Sequence, residues 1–132
     1  MDKAIIQYYR RILKSGFKNA GSYEDASILL NTAASGVRVC GGSGGYIHIY
    51  IKVKNEVIEG IKYLCSCDPA ANVAVEILCD LLPGKTLAEA AALTEDMFLE
   101  AIDGPSEDLR QKAGALIKNL NGGIEQYRTG RS

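Results

Sequence analysis

The 132-residue sequence contains no tryptophan and a single histidine, which excludes a metal site built from several histidines. Its formal net charge of −1 gives no electrostatic basis for binding nucleic acid. No apolar run approaches the roughly 20 residues that a membrane-spanning helix needs. The opening residues MDKAIIQYYRR lack the basic, apolar and small segments of a signal peptide, so we expect a cytoplasmic protein without membrane segments.

The composition is that of an ordinary globular chain, with 47% hydrophobic and 23% charged residues. Its length suits one domain with a real core, and we assign residues 1–132 to that domain. There are four cysteines. In a cytoplasmic protein they are more often reduced, metal-bound or catalytic than paired as disulfides.

Hydrophobic periodicity predicts an N-terminal helix, three strands and a run of C-terminal helices. The strand at 46–53 is the clearest, because Ile47, Ile49, Ile51 and Val53 alternate with polar residues. This order predicts an α+β fold in which an antiparallel sheet packs against helices. The expected elements are a helix from a cap at Asp2 to Lys14, a loop at 17–25, strands at 27–31, 46–53 and 57–64, and helices at 70–82, 86–93, 94–102 and 106–128.

Two of the predicted helices have faces that the structure can test. The first helix should bury a stripe that includes Ile6 and Leu13. The helix after Cys67 should expose Asn72, Glu76 and Asp80 to solvent.

The cysteines carry the clearest chemical signal. Cys40 opens the glycine-rich segment 41–45, whereas Cys67 ends a predicted strand and opens a helix. A thiolate at a helix N-terminus is stabilised by the helix dipole, so we expect Cys67 to have a lowered pKa. Cys65 lies two residues before Cys67 and would point the same way along a straight strand. We expect these thiols to meet at one site for a soft metal or to act as nucleophiles.

Other motifs have simpler explanations. The segment PGKT at 83–86 lacks the upstream glycine of a phosphate loop and is interpreted as one helix end followed by a cap. The glycines at 41–45 are more typical of a hairpin connection than of an anion cradle. His48 is expected on the polar face of its strand. Cys79 lies too far along the helix to share a mononuclear site with Cys67.

Several segments in this order resemble the NifU/IscU-type iron–sulfur cluster assembly scaffolds over nearly the whole chain. VCGG at 39–42 resembles the family's first ligand motif, Cys-Gly-Asp, and LCSC at 64–67 resembles the strand that leads to the second, Gly-Cys. Four further segments resemble the family's pattern, namely KNAGSY at 18–23, IHIYIKV at 47–53, GKTLAEAAAL at 84–93 and LRQKAGALIKNL at 109–120.

The resemblance implies a scaffold that binds an iron–sulfur cluster or iron, with zinc as a further candidate, through Cys40 and Cys67 assisted by Cys65. Its implied partners are a cysteine desulfurase and iron–sulfur acceptor proteins, and a homo-oligomer is compatible with it. The chain departs from the family where Gly42 replaces an aspartate and Ala113 replaces the third cysteine. About three extra residues also lengthen the glycine loop.

A [2Fe–2S] cluster usually takes four protein ligands and tetrahedral zinc takes four as well, so these three thiols leave a fourth position open. Water, the carboxylate of Asp68 or another subunit could fill it. Two other functions remain open at this point. The chain could carry sulfur as a persulfide on Cys40 or Cys67, which needs no metal site. It could also be an interaction module that kept the fold and lost the site. We expect a scaffold or carrier rather than an enzyme.

Overall fold

The computed structural model describes residues 3–31, 46–66 and 69–130, and it shows the α+β fold that the sequence predicts. Within these ranges a helix precedes three strands, and four helices follow. In chain order the elements are α1 (Lys3–Ser15), β1 (Ile28–Asn31), β2 (Tyr46–Lys54), β3 (Val57–Ser66), α2 (Pro69–Leu81), α3 (Leu87–Ala91), α4 (Glu95–Ile102) and α5 (Glu107–Thr129).

The three strands form an antiparallel sheet in the order β1-β2-β3. Ile47, Ile49 and Ile51 of β2 are fully buried, because their side chains face the helices while the alternate residues face outward. A register shift between Lys52 and Val53 interrupts the alternation, and Val53 is only half-buried. Val53 nevertheless packs against the core, so it stays on the inward face that the sequence predicts, with less complete burial.

Helix α1 buries a narrower stripe than the sequence predicts. Ile5 and Ile12 are buried in the core, whereas the side chains of Ile6 and Leu13 are 38% and 51% exposed. The helix packs mainly against α2 and touches α4 only lightly, so one narrow line of side chains is covered. The outer side of α1 carries apolar residues that the fold does not use.

Helix α5 crosses β1 at very close range. A Cβ atom on Gly123 would overlap Cδ2 of Leu30 and lie 3.2 Å from Cγ2 of Ile28. A larger residue at this crossing would therefore require the buried Leu30 side chain to move. The buried stripe of the same helix comprises Leu109, Ala113, Leu116, Asn119, Leu120 and Ile124.

The predicted helix boundaries in the C-terminal half are confirmed. Thr86 and Glu89 form a reciprocal capping box, and the hydroxyl of Ser106 accepts from the Leu109 amide at 3.1 Å. The PGKT segment turns the chain between α2 and α3, with Gly84 at a φ of 87° and its amide donating to Ile58. Among the described residues, no helix is both long and apolar enough to cross a membrane.

Candidate functional site

The cysteine-bearing segments attach to one end of the sheet. Asn31, the last residue of β1, is paired with His48, and Tyr46, the first residue of β2, is paired with Ser66, the last of β3. In the sequence, Cys40 precedes Tyr46 by six residues and Cys67 directly follows Ser66. Cys40, Cys67, Gly42 and Asp68 lie outside the described residues, so their shared site stays a prediction.

Cys65 is the one predicted site thiol that the structure describes. It stands opposite Ile47 near the end of β3 and is half-buried. Successive side chains alternate along a strand, so Cys65 lies on the same inner face as Ile61 and Tyr63. The thiol therefore faces the helical layer rather than the outer surface of the sheet.

A buried tyrosine–glutamate pair lies beside this thiol on the inner face. The side chains of Tyr63 and Glu76 are each only 2% exposed, and the Tyr63 hydroxyl donates to Oε2 of Glu76 at 2.6 Å. Oδ1 of Asn72 lies 3.0 Å from the same hydroxyl. Burial, followed by the hydrogen bond to Glu76, raises the pKa of Tyr63 above its ordinary value. The phenol therefore stays protonated and holds its bond to the carboxylate.

Asn19 connects this pair to the loop that follows α1. Its amide nitrogen donates to Oε1 of Glu76 at 2.8 Å and to Oδ1 of Asp80 at 3.2 Å. The backbone of the same loop pairs with β3, because the Tyr63 amide donates to the Asn19 carbonyl and the Gly21 amide donates to the Tyr63 carbonyl. The loop, β3 and α2 are thus joined by one hydrogen-bond network.

The prediction that Glu76 faces solvent is wrong. The helical pattern places Asn72, Glu76 and Asp80 on one polar stripe, but the loop after α1 covers Glu76, whereas Asp80 stays exposed as predicted. The sequence signal that could have revealed this network is Tyr63 on the inner face of its strand, because the hydroxyl of a buried tyrosine needs a hydrogen-bond acceptor. The network was missed because the covering loop has no periodicity of its own.

Two further groups near this network are held in the protonated state. Burial, together with the negative charges of Glu76 and Asp80, raises the pKa of the Cys79 thiol. Burial and the negative charge of Asp80 likewise raise the pKa of Tyr8. Cys79 is buried rather than bordering solvent, and it behaves as the small apolar residue that the sequence analysis expected.

Ala113, which stands where the resembling family has its third cysteine, is fully buried on α5. The next residue, Gly114, has no side chain and so leaves room for Glu95 of α4. A Cβ at position 114 would lie only 2.7 Å from Oε2 of Glu95. Arg110 fixes the same contact through bonds of 3.1 Å to Glu95 and 3.2 Å to Asp96. Whether Ala113 faces Cys40 and Cys67 is untested, since those cysteines lie outside the described ranges.

Comparison with known proteins identifies the protein family to which this chain belongs. Residues 3–132 match the family described as the NifU-like N-terminal domain, and the chain belongs to that family. Two curated relatives from Archaeoglobus fulgidus, the iron–sulfur cluster assembly scaffold proteins IscU 1 and IscU 2, are each 36% identical over 87 residues. That match covers 66% of this chain and 53% of each relative, so the chain spans about half the length of these relatives.

Solved structures share the fold. A NifU-like protein from Brucella abortus superposes with a TM-score of 0.62 at 14% identity and covers 99% of this chain and 95% of its own. A scaffold protein for the SUF system from Fervidobacterium islandicum gives 0.64 at 16% identity, with 94% and 96% covered. Within the described ranges, no three His, Cys, Asp or Glu side chains are grouped as a metal site.

The burial of Cys79 leads to a prediction for thiol reactivity. With limiting iodoacetamide at neutral pH, we expect Cys67 to be alkylated first, because it precedes the N-terminus of α2, and Cys79 last, because it is buried with a raised pKa. Mass spectrometry of the digested protein gives the order. Early labelling of Cys79 in the native protein would contradict its placement in the core.

The raised pKa values predict how stability changes with pH. Cys79 and Tyr63 ionise in the unfolded chain near their ordinary values of 9.0 and 10.0, but they keep their protons in the folded protein. Above about pH 9 the unfolded state therefore binds fewer protons, and the free energy of unfolding falls as pH rises. Urea unfolding at about pH 8 and about pH 10.5 measures this fall. Tyr63→Phe should make it shallower, and a free energy of unfolding that rises with pH would contradict the assignment.

Proposed function

We propose that this chain is a scaffold-like protein of iron–sulfur cluster assembly that accepts iron, zinc or a labile cluster as cargo. Membership of the NifU-like family over residues 3–132 carries the proposal, because the matched region includes Cys40, Cys65 and Cys67. Two relatives and one structural neighbour are named as assembly scaffolds. A chain of this kind loads and releases its cargo and is not a catalyst in the strict sense.

In this proposal Cys40 and Cys67 hold the cargo and Cys65 assists them. Thiolates are the ligands that iron–sulfur clusters and zinc prefer, and each thiol gives up its proton when it binds. The position of Cys65 supports the assignment, because it faces the helical layer two residues before Cys67. We place the protein in the cytoplasm, where reducing conditions keep thiols available. Its proposed partners are a cysteine desulfurase and iron–sulfur acceptor proteins.

The test is metal and sulfide content. The protein is purified anaerobically, reconstituted with ferrous iron and sulfide, desalted, and assayed for iron, zinc and labile sulfide. We expect Cys40→Ser and Cys67→Ser each to lose most of the retained iron. Cys79→Ala is the matched control and should retain as much as wild type, because Cys79 is buried in the core. Equal retention by all four proteins would overturn the proposal.

One alternative is a persulfide carrier, which needs no metal site and is therefore compatible with Ala113 at the position of the family's third cysteine. In that reaction the Cys67 thiolate attacks the terminal sulfur of a donor cysteine persulfide, a new S–S bond forms, the donor S–S bond breaks, and the donor leaves as a thiolate. A stable persulfide on Cys67 after mixing with a cysteine desulfurase and cysteine, without iron, would support the carrier. Iron bound in a Cys40- and Cys67-dependent manner would support the scaffold.

A further inference from the structure

The outer face of α1 is strongly basic. Helix α1, Lys3–Ser15, contains four basic side chains, at Lys3, Arg10, Arg11 and Lys14, and no acidic one. Three of them, Lys3, Arg10 and Lys14, are spaced by seven and four residues, which places them on one line of the helix. All three are exposed. We call this line the basic ridge.

The basic ridge lies beside apolar side chains that the core does not use. Ile6 and Leu13 are exposed, and their spacing of seven residues places them together next to Arg10. Within residues 3–31, 46–66 and 69–130, no ion pair neutralises Lys3, Arg10 or Lys14. An apolar pair bordered by unneutralised charge is the composition of a protein-binding surface.

Helix α4 presents the opposite charge. Asp96 and Glu100 lie one turn apart on α4, and Asp103 caps the C-terminal end of the helix. All three are exposed, and we call them the acidic ridge. Only Asp96 is ion-paired, to Arg110, among the described residues. Glu100 and Asp103 stand at the C-terminal end of α4, where the helix dipole favours cations, and the last turn contains none. A cation from outside the molecule would therefore be favoured here.

The acidic ridge borders an open, shallow groove that apolar residues line in part. Leu99, Gly104 and Pro105 line it together with the three acidic residues, and its volume is about 450 Å³. The basic ridge and its apolar pair thus match the acidic ridge and its groove in both charge and polarity. Such complementarity between two surfaces steers and orients association.

The two surfaces lie next to each other in one molecule. Helix α1 contacts α4, and a Cβ on Gly104 would lie 4.0 Å from the Cβ of Ala4. A twofold axis between two copies can therefore place the basic ridge of each copy on the acidic ridge of the other. That arrangement repeats the same contact twice and closes on itself.

We propose that the outer face of α1 is a self-association surface whose occupant is the α4 groove of a second copy of this chain. An anionic membrane is less well matched, because Ile5 and Ile12 are committed to the core and the exposed apolar area is small. Nucleic acid is less well matched because the acidic ridge adjoins the basic one. The contact is small, so the dimer is weak and depends on salt.

The experiment is sedimentation equilibrium of the full chain over a range of salt. We expect association at about 0.01 M salt, where charges act over about 30 Å, and monomers at about 1 M, where they act over about 3 Å. Arg10→Glu and Glu100→Lys should each raise the dissociation constant by about tenfold. Combining both changes in one chain exchanges the signs and should restore much of the lost affinity.

Two matched controls separate the surface from net charge. Arg11→Glu makes the same change on the same helix, but Arg11 points about 100° away and stacks over Tyr8 at 5.1 Å. Glu125→Lys makes the opposite change on an exposed position of α5. Both controls should associate like wild type. A monomer at low salt, or equal effects of Arg10→Glu and Arg11→Glu, would overturn the proposal.

Other occupants have their own signatures. Binding to vesicles that contain anionic lipid, with a monomer in their absence, would assign the basic ridge to a membrane and overturn self-association. Iron and sulfide retention is measured separately on the same variants. Because Cys40, Cys65 and Cys67 are unchanged in them, failure of the dimer and failure of the scaffold function are distinguishable.

Discussion

Glu76→Ala should destabilise the protein by about 2–4 kcal/mol, which is a large share of the stability of a small domain. Glu76 accepts from the Tyr63 hydroxyl at 2.6 Å and from the Asn19 amide at 2.8 Å, and its burial keeps bulk solvent from replacing those bonds. Truncation leaves a buried phenol with a poorer partner and leaves a cavity beneath the loop after α1.

Asp80→Ala is the matched control for this prediction. Asp80 lies one turn further along α2 and also accepts from Asn19, at 3.2 Å, but its side chain is 40% exposed. Its loss should cost less than about 1 kcal/mol, as exposed polar contacts do. Urea denaturation followed by circular dichroism gives both values. Equal small losses would mean that the Tyr63–Glu76 pair contributes nothing beyond its packing.

The variant Glu76→Gln separates the loss of one hydrogen bond from the loss of both. The amide still offers an oxygen to Tyr63, but its nitrogen then meets the Asn19 nitrogen, so one of the two bonds is lost. We expect a destabilisation between those of Glu76→Ala and Asp80→Ala. Adding Tyr63→Phe to Glu76→Ala should cost less than the sum of the two single changes, because both remove the same bond.

Ala113→Cys should raise the retention of iron and sulfide by at least about tenfold, because even indirect partners of a metal change its affinity by 10- to 100-fold. The prediction rests on the proposed scaffold function and on Ala113 facing Cys40 and Cys67. Together with Cys40, Cys67 and the assisting Cys65, a thiolate at this position would complete the preferred four-ligand shell. Ala113 is fully buried, so the added sulfur should also cost about 1–3 kcal/mol of stability unless the site has room for it.

Ala115→Cys is the control for that gain. Ala115 lies two residues further along α5, on another side of the helix, and is half-buried. Anaerobic reconstitution, desalting and assay of iron and labile sulfide compare both variants with wild type. Equal, near-zero retention in all three proteins would count against a dormant cluster site. It would favour the persulfide carrier or an interaction module.

The element order and most boundaries could be predicted because local signals set them. Thr86 with Glu89, Ser106 before α5 and Pro69 at the start of α2 each act within a few residues. The inward face of β2 was predicted correctly from Ile47 to Val53. The register shift between Lys52 and Val53 was not predicted, because it depends on how β2 pairs with β3, and the periodicity of one strand does not contain that pairing.

The side-chain errors come from packing between distant segments. Ile6 and Leu13 fit the helical stripe of α1, but α2 and α4 cover only the line through Ile5 and Ile12. Glu76 fits a polar stripe, but a loop 57 residues earlier in the chain covers it through Asn19. The cysteine assignments came from the positions of the thiols at predicted turns and from motif resemblance rather than from packing. For Cys40, Cys65 and Cys67 alike, the role as ligands remains a prediction.

The sheet register has a consequence for the length of the segment that carries Cys40. The described part of β1 ends at Asn31 and β2 begins at Tyr46, and the pairing of Asn31 with His48 fixes the separation of those two points. For a flexible connection, an increase from eleven to the fourteen residues between them costs only about 0.2 kcal/mol in loop-closure entropy. Loop-closure entropy alone therefore sets almost no limit on the number of residues that carry this cysteine between the two strands.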